Sequence, residues 1–315
     1  MNIDDIRGAA TRIANHVRRT PLTRSETLSE RLGTNVYVKY ELFQKTGSFK
    51  ARGAFNKMLS MSDESRARGV VAVSGGNHAQ AVAYAARELG VDALLVMPQS
   101  TPQNYVDATR GYGATLELAA TIADAFEMAA EYKAAGRTFL HPFDDEVIVA
   151  GQGTVGLEIM DDVPQVTDVV VSIGGGGLAG GVATAVKSIK PGAKVWGVET
   201  VGADAMSQAL LAGKPVETAV TSIAKTLGAP YVTELTLALA QKHFESVTVV
   251  TDHEAVDSLV FIAERLKVLT EPAASCTLAA AEKLRGNFTS ESHVVLILCG
   301  GNVSLTDVCA FIANG

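Results

Sequence analysis

The chain predicts an α/β protein built on two open, parallel-rich sheets covered by helices. Strand-length apolar runs alternate with longer segments whose apolar residues recur at helical spacing. Most of those runs are continuously apolar, as in Val70-Val71-Ala72-Val73, which is how strands covered on both faces read. Glycine, at 29 residues, marks many tight turns and close backbone approaches between the runs. With 315 residues, 47% apolar and 19% charged, the chain can bury a sizeable core as one large or two ordinary domains.

Residues 3–19 carry Ile3, Ile6, Ala10, Ile13 and Val17, the stripe of an amphipathic helix, which Thr20-Pro21-Leu22 breaks. Ser25 starts a short helix that stops near Gly33. Val36-Tyr37-Val38 reads as a buried strand, and Ala54, Phe55, Met58 and Leu59 as the face of a following helix. Strands at 69–73, 92–97 and 114–118 are each followed by a helix, at 79–89, 102–110 and 122–135, the first closed by Gly90. His141 to Asp145 reads as a loop and 147–160 as a helix. The alternation resumes with strands at 167–173, 194–198, 246–250 and 293–298; Thr251 and Glu254 have capping-box form, and Glu271-Pro272 opens a further helix. This organisation predicts one α/β block over 52–146 and a second, larger and discontinuous one made of 1–51 and 147–315.

A net charge of −7 without a basic run makes nucleic acid an unexpected partner. No apolar stretch is long enough for a membrane span, and Met1 to Asp5 lacks the charged and apolar regions of a signal peptide, so a cytoplasmic protein is expected. Cys276, Cys299 and Cys309 lack CxxC spacing, the six histidines form no HxxxH, and no GxSxG occurs, which disfavours a disulfide framework, structural or catalytic zinc, and a serine nucleophile elbow.

Lys50 lies in Thr46-Gly47-Ser48-Phe49-Lys50-Ala51-Arg52-Gly53-Ala54, between a strand and a helix, where open α/β sheets place ligands. Gly174 to Gly177 follows a strand and enters a helix, an arrangement that turns backbone N–H groups and a helix N-terminus toward a phosphate. Gly175 to Gly180 also satisfies GxGxxG, with Glu199 ending the next strand, so by itself this loop reads equally as a dinucleotide site. Ser74-Gly75-Gly76-Asn77-His78 is a donor cluster suited to a carboxylate or ring oxygen, or else a polar turn capping a helix. Cys299, closing a strand before Gly300-Gly301-Asn302, is either core or ligand-facing. Lysine is the nucleophile toward carbonyls, and pyridoxal phosphate carries both an aldehyde and a phosphate, so one cofactor accounts for these loops, whereas a nicotinamide leaves Lys50 and the Asn77 loop unexplained.

Lys39-Tyr40-Glu41, Gln44 and Thr46 to Ala54 resemble the lysine segment of fold-type II pyridoxal phosphate enzymes, the tryptophan synthase β-like group. The similarity is to the branch of threonine and serine dehydratases (ammonia-lyases) and serine racemases. Ser74 to His78, His141 to Asp145, Gly151-Gln152-Gly153-Thr154, Gly174 to Gly177, Glu271-Pro272 and Cys299 to Asn302 match in order along nearly the whole chain. The resemblance implies a cofactor between two domains, the one over 52–146 small and mobile, and no C-terminal regulatory domain, with Lys50 bound to the cofactor's aldehyde carbon and Phe49 against its ring. Gly174, Gly175, Gly176, Gly177 and Leu178 would hold the phosphate, Asn77 the phenolic oxygen, and Cys299 would face the pyridine nitrogen with Glu271 near the same end. Ser74, Gly75, Gly76 and His78 would bind the substrate carboxylate. The implied reaction is β-elimination of water from an L-3-hydroxy amino acid, with Lys50 as the α-proton base and a 2-oxo acid and ammonia as products. Threonine and serine are the first candidates, with phenylserine and 3-hydroxyaspartate as alternatives, and a homodimer or homotetramer is the implied assembly.

The departures from that pattern are specific. Racemases of the branch carry a serine as second base where this chain has Gly75, so racemisation is disfavoured. Their divalent-cation site corresponds to Glu199, Ala203 and Ala205, which lacks the third ligand and leaves Asp204 as a substitute, a monovalent ion, or an empty site. Ile223 to Pro230 lacks the usual Asp-Gly, which leaves the preferred substrate open.

Overall fold

The computed structural model describes residues 1–314. Its strands are β1 (Leu22–Arg24), β2 (Asn35–Tyr40), β3 (Val70–Val73), β4 (Ala93–Pro98), β5 (Thr115–Ala119), β6 (Thr138–Phe139), β7 (Asp168–Ser172), β8 (Lys194–Thr200), β9 (Ser246–Val250) and β10 (His293–Leu298). They form a six-stranded sheet in the order β1-β2-β10-β7-β8-β9 and a four-stranded sheet in the order β5-β4-β3-β6. Every pairing is parallel except that of β1 with β2. Parallel strands need crossovers, which the helices supply while covering both faces. The central strands are accordingly buried throughout: Val70–Val73 and Asp168–Ser172 expose no residue.

The first half of the chain carries α1 (Ile3–Ile13), α2 (Glu26–Leu32), α3 (Lys50–Ser60), α4 (Asp63–Ala67), α5 (Asn77–Leu89), α6 (Gln103–Gly111) and α7 (Ile122–Ala134). The second carries α8 (Glu146–Asp162), α9 (Gly177–Ile189), α10 (Ala205–Ala212), α11 (Glu234–His243), α12 (Asp252–Leu266), α13 (Pro272–Lys283) and α14 (Leu305–Asn314). The helix expected over 3–19 closes at Ile13, where the His16 and Val17 amides fold back onto the Ile13 carbonyl, although Val17 still packs on the core. The predicted caps are present: Ser25 accepts from the Leu28 amide, and Thr251 and Glu254 complete a reciprocal box. Among the described residues, no helix is long and apolar enough to cross a membrane.

Beneath the start of α3 lies a buried cluster of two cations and two anions. Arg52 donates to Glu41 (2.8 Å to each oxygen), to Glu158 (2.7 and 2.9 Å) and to Thr154 (3.1 Å). Lys39 reaches Glu158 at 2.5 Å and the Thr20 carbonyl at 2.8 Å. Burial disfavours the Arg52 charge, but Glu41 and Glu158 outweigh that and hold its pKa above the ordinary value. The cluster ties β2, α3 and α8 together and fixes where Lys50 begins its helix.

Candidate active site

The loops that leave β2, β3, β7 and β10 at their carboxyl ends carry the residues singled out in the sequence, as expected of ligand sites in open α/β sheets. The lysine segment is laid directly against the end of β10. Ser48 pairs with Gly300 in an antiparallel bridge, the Phe49 amide donates to the Cys299 carbonyl (3.1 Å), and the Gly301 amide to the Gly47 carbonyl (3.0 Å). Lys50 Nζ donates to the Pro142 carbonyl (2.9 Å) and lies 5.1 Å from the centroid of the Phe49 ring. No carboxylate pairs with it among the described residues. Burial therefore lowers its pKa to about 8, against a smaller opposing effect of Cys299.

The Asn77 side chain is held from both ends. Its Nδ2 donates to the two Glu271 oxygens (2.9 and 3.1 Å), and its Oδ1 accepts from Asn302 Nδ2 (2.7 Å). Glu271 also accepts from Thr226 Oγ1 (2.5 Å) and from the Asn302 amide (2.9 Å). Burial raises its pKa even so, which marks a carboxyl group in a dry site. Cys299 Sγ accepts from Ser172 Oγ (3.3 Å) and faces the Ala273 carbonyl (3.6 Å). Burial and then Glu271 push its pKa up to about 12, so it stays a neutral thiol.

Both imidazoles of the site are neutral as well. His78 Nε2 faces the Leu140 carbonyl (2.9 Å), and burial followed by the Lys50 charge lowers its pKa to about 3. His141 Nδ1 accepts from the Phe143 and Asp144 amides (3.3 and 2.7 Å), and burial lowers its pKa to about 4.

The glycine run is a walled turn. Gly176 sits at φ +90°, and a Cβ there would come within 2.8 Å of Thr236 Cβ. A Cβ on Gly175 would overlap the Phe143 ring at 2.2 Å. The Gly180 amide bonds the Gly176 carbonyl (2.8 Å), so the Gly177, Leu178 and Ala179 amides before it are first-turn donors that the helix cannot satisfy itself. Such a cradle fits a phosphate. The surroundings fit a polar ligand too: Thr46 Oγ1, Ser48 Oγ, His78 Nδ1, Thr101 Oγ1 and Thr270 Oγ1 are buried without a hydrogen-bond partner. Thr46, Ser48, His78 and Thr270 lie on, or directly beside, the segments just described, and Thr101 faces Gly75 in the Ser74 loop; a sixth such atom, Gln152 Nε2, lies against Gly53 in α3. Unmet buried polar atoms are costly, and their gathering here is what a site awaiting a polar group looks like.

Residues 13–300 match the family described as pyridoxal-phosphate dependent enzyme. The chain belongs to that family. The pyridoxal phosphate enzyme is 40% identical to an L-threonine ammonia-lyase of Thermotoga maritima over 100% of this chain and 79% of that protein. It is 38% identical to a catabolic L-threonine dehydratase of Staphylococcus aureus over 100% of this chain and 93% of that protein. Among solved structures it matches maize serine racemase with a TM-score of 0.93 and 36% identity, covering 99% of this chain and 97% of that one.

Family membership removes the dinucleotide reading of the glycine loop, and Glu199 shows why the spacing misled. Its carboxylate accepts from the Met206 amide, the Ser207 amide (2.8 Å each) and Ser207 Oγ (2.7 Å), capping α10 instead of facing the loop. Burial raises its pKa to about 7. The cation ligands expected at Glu199 and Ala203 therefore start from a carboxylate already engaged. Ala203 pairs with Thr200, Asp204 accepts from Gln208, and no cluster of three or more His, Cys, Asp or Glu suited to a metal occurs among the described residues.

Several site residues had no assigned part in the sequence reading. Pro142 and Phe143 contact Lys50 and Gly175, Thr226 and Asn302 hold Glu271 and Asn77, and Ser172 holds Cys299. Asn302, Pro142 and Phe143 lie in segments already matched in sequence, Cys299 to Asn302 and His141 to Asp145; Thr226 and Ser172 lie in none of the matched segments.

Proposed function

We propose that this pyridoxal phosphate enzyme removes water from an L-3-hydroxy amino acid, threonine or serine first, and releases a 2-oxo acid and ammonia. The observation that carries the reading is Lys50, a buried amine with no counter-charge, within electrostatic reach of His78, His141 and Cys299. The full-length similarity to threonine ammonia-lyases supports it.

Pyridoxal phosphate supplies the electron sink that makes an amino acid's α-proton removable. Lys50 is the residue that would hold the cofactor's aldehyde carbon, and its Nζ is the base that would take that proton; a pKa near 8 keeps a useful neutral fraction at neutral pH. Gly174 to Leu178 would hold the phosphate through their amides, and Phe49 packs beside the lysine. Asn77, fixed by Glu271 and Asn302, is the side chain that would meet the phenolic oxygen. Cys299 offers an uncharged thiol that would face the ring nitrogen, a partner that would not force that nitrogen to carry a proton. Ser74, Gly75, Gly76 and His78 receive the substrate carboxylate at the start of α5. Neutral His78 and His141 are not the acids that protonate the departing hydroxyl.

The resemblance in fold to a serine racemase favours a second reading, amino-acid racemisation. Gly75 argues against it, because no side chain stands there to protonate the opposite face. The proposal extends to a homodimer or homotetramer, for which exposed apolar side chains such as Leu211 and Leu305 are available; sedimentation tests it.

The deciding experiment follows the visible absorbance of the purified holoenzyme while L-threonine, L-serine and bulkier 3-hydroxy amino acids are added in turn. A band that shifts with one of them while a 2-oxo acid accumulates is expected. A band that never shifts, or D-amino acid formed without 2-oxo acid, overturns the dehydratase reading.

A further inference from the structure

Thr101 lies in the turn between β4 and α6, outside every motif that pointed to the site. Its amide is bonded to the Pro98 carbonyl (2.9 Å), and α6 is tied across to the Asn302 loop by Tyr105, whose hydroxyl donates to the Asn302 carbonyl. On the facing side, the Ser74 amide bonds the Val96 carbonyl (3.3 Å), so the donor loop and the Thr101 turn are both anchored on β4.

Two independent observations set this hydroxyl apart. Thr101 Oγ1 is buried and has no hydrogen-bond partner. It is also the atom nearest to Gly75: a Cβ built on Gly75 would lie 2.6 Å from Oγ1 but 3.5 Å from Thr101 Cβ and Cγ2. The hydroxyl thus fills the space that any side chain at 75 would need. Beside it, Ser74 Oγ spends an acceptor position on the Gly76 amide (3.1 Å), which leaves its proton to donate. Two hydroxyls therefore flank Gly75 in the loop that precedes α5, whose first-turn amides favour an anion. An unpaired buried hydroxyl costs stability unless a ligand satisfies it.

We propose that Thr101 is a substrate-binding, specificity-determining residue: its hydroxyl donates to the amino acid's carboxylate beside Ser74, and it is the reason that position 75 is glycine. The identity of the ligand rests on the amino-acid reading above; the pairing of Thr101 with Gly75 does not.

The test uses the holoenzyme with L-threonine for turnover and L-alanine, which has no β leaving group, for binding read from the absorbance band. Thr101→Val keeps the shape without the hydroxyl. It is expected to raise the KM for L-threonine and the Kd for L-alanine about tenfold, the loss of one hydrogen bond to a charged group, with kcat and the unliganded spectrum changed much less. Thr101→Ser is expected to restore both constants. Gly75→Ala is expected to weaken binding in the native background but to add nothing in a Thr101→Ala background, where the new Cβ meets only a Cβ at ordinary distance. Unchanged constants in Thr101→Val, or no restoration by Thr101→Ser, overturn the assignment to substrate. Additive losses in the Gly75→Ala/Thr101→Ala double variant overturn the steric pairing. If the native enzyme eliminates water from no 3-hydroxy amino acid, the dehydratase reading fails while the L-alanine titration still decides the role of Thr101.

Discussion

Lys39 is fully buried and Lys50 half-buried, eleven residues apart by their numbers, and they have opposite surroundings. Lys39 sits against Glu158 and the Thr20 carbonyl, inside a cluster whose charges balance. Lys50 meets only the Pro142 carbonyl, with two neutral imidazoles and a neutral thiol around it. Burial with a counter-charge makes a fixed ammonium that holds three elements together; burial without one makes an amine that gives up its proton readily. The two are linked through Arg52, which is two positions beyond Lys50 and in the same cluster as Lys39.

The comparison breaks most sharply at Lys50. Lys50→Ala is expected to lower turnover by at least about 10³-fold, as loss of a general base does, and to abolish the visible cofactor band while leaving the unfolding midpoint near that of the native apoprotein. Appreciable turnover in that variant would remove Lys50 from its assigned role. At the other pole, Arg52→Met strands Glu41, which is fully buried, and is expected to cost about 3–5 kcal/mol in denaturant unfolding. Lys39→Met should cost less, about 1–3 kcal/mol, because Glu158 is partly exposed and keeps its two bonds to Arg52. Equal losses in these two variants would mean that the cluster acts as a single unit and not through its most buried pair.

How far such contrasts were legible in sequence depends on the range of the interaction. Val70–Val73 and Val169–Val171 announce central parallel strands because burial on both faces writes itself into consecutive residues. Lys50, Gly174–Gly177 and the Ser74 loop are readable because each is a local arrangement at a strand end. The three-residue edge strand Leu22–Arg24 and the two-residue strand Thr138–Phe139 are too short to show a period. The counter-charges of Lys39 and Arg52 lie partly in α8, so nothing beside them distinguishes a balanced buried cluster from surface charge. The clamp on Asn77 joins residues 194 positions apart, and the aromatic wall of Gly175 comes from Phe143 in another loop. Thr101 was silent for the same reason: its meaning lies in the glycine opposite.

The mildest and most discriminating contrast is in pH. A lysine lowered to about 8 holds its charge less strongly than an exposed lysine does. Cofactor uptake by the apoprotein requires the neutral amine, so the second-order rate, followed by the growth of the visible band, should rise about tenfold per unit below pH 8 and level off above it. For a lysine paired with a carboxylate the rate would instead keep rising toward about pH 10 or beyond, because such a neighbour favours the ammonium form. A profile without a break near 8 would mean that Lys50 has an ion-pair partner in solution, and the distinction between the two lysines would disappear. A break near 8 that survives in Lys39→Met would place the lowered pKa in the burial of Lys50 alone, independent of the charged cluster beneath it.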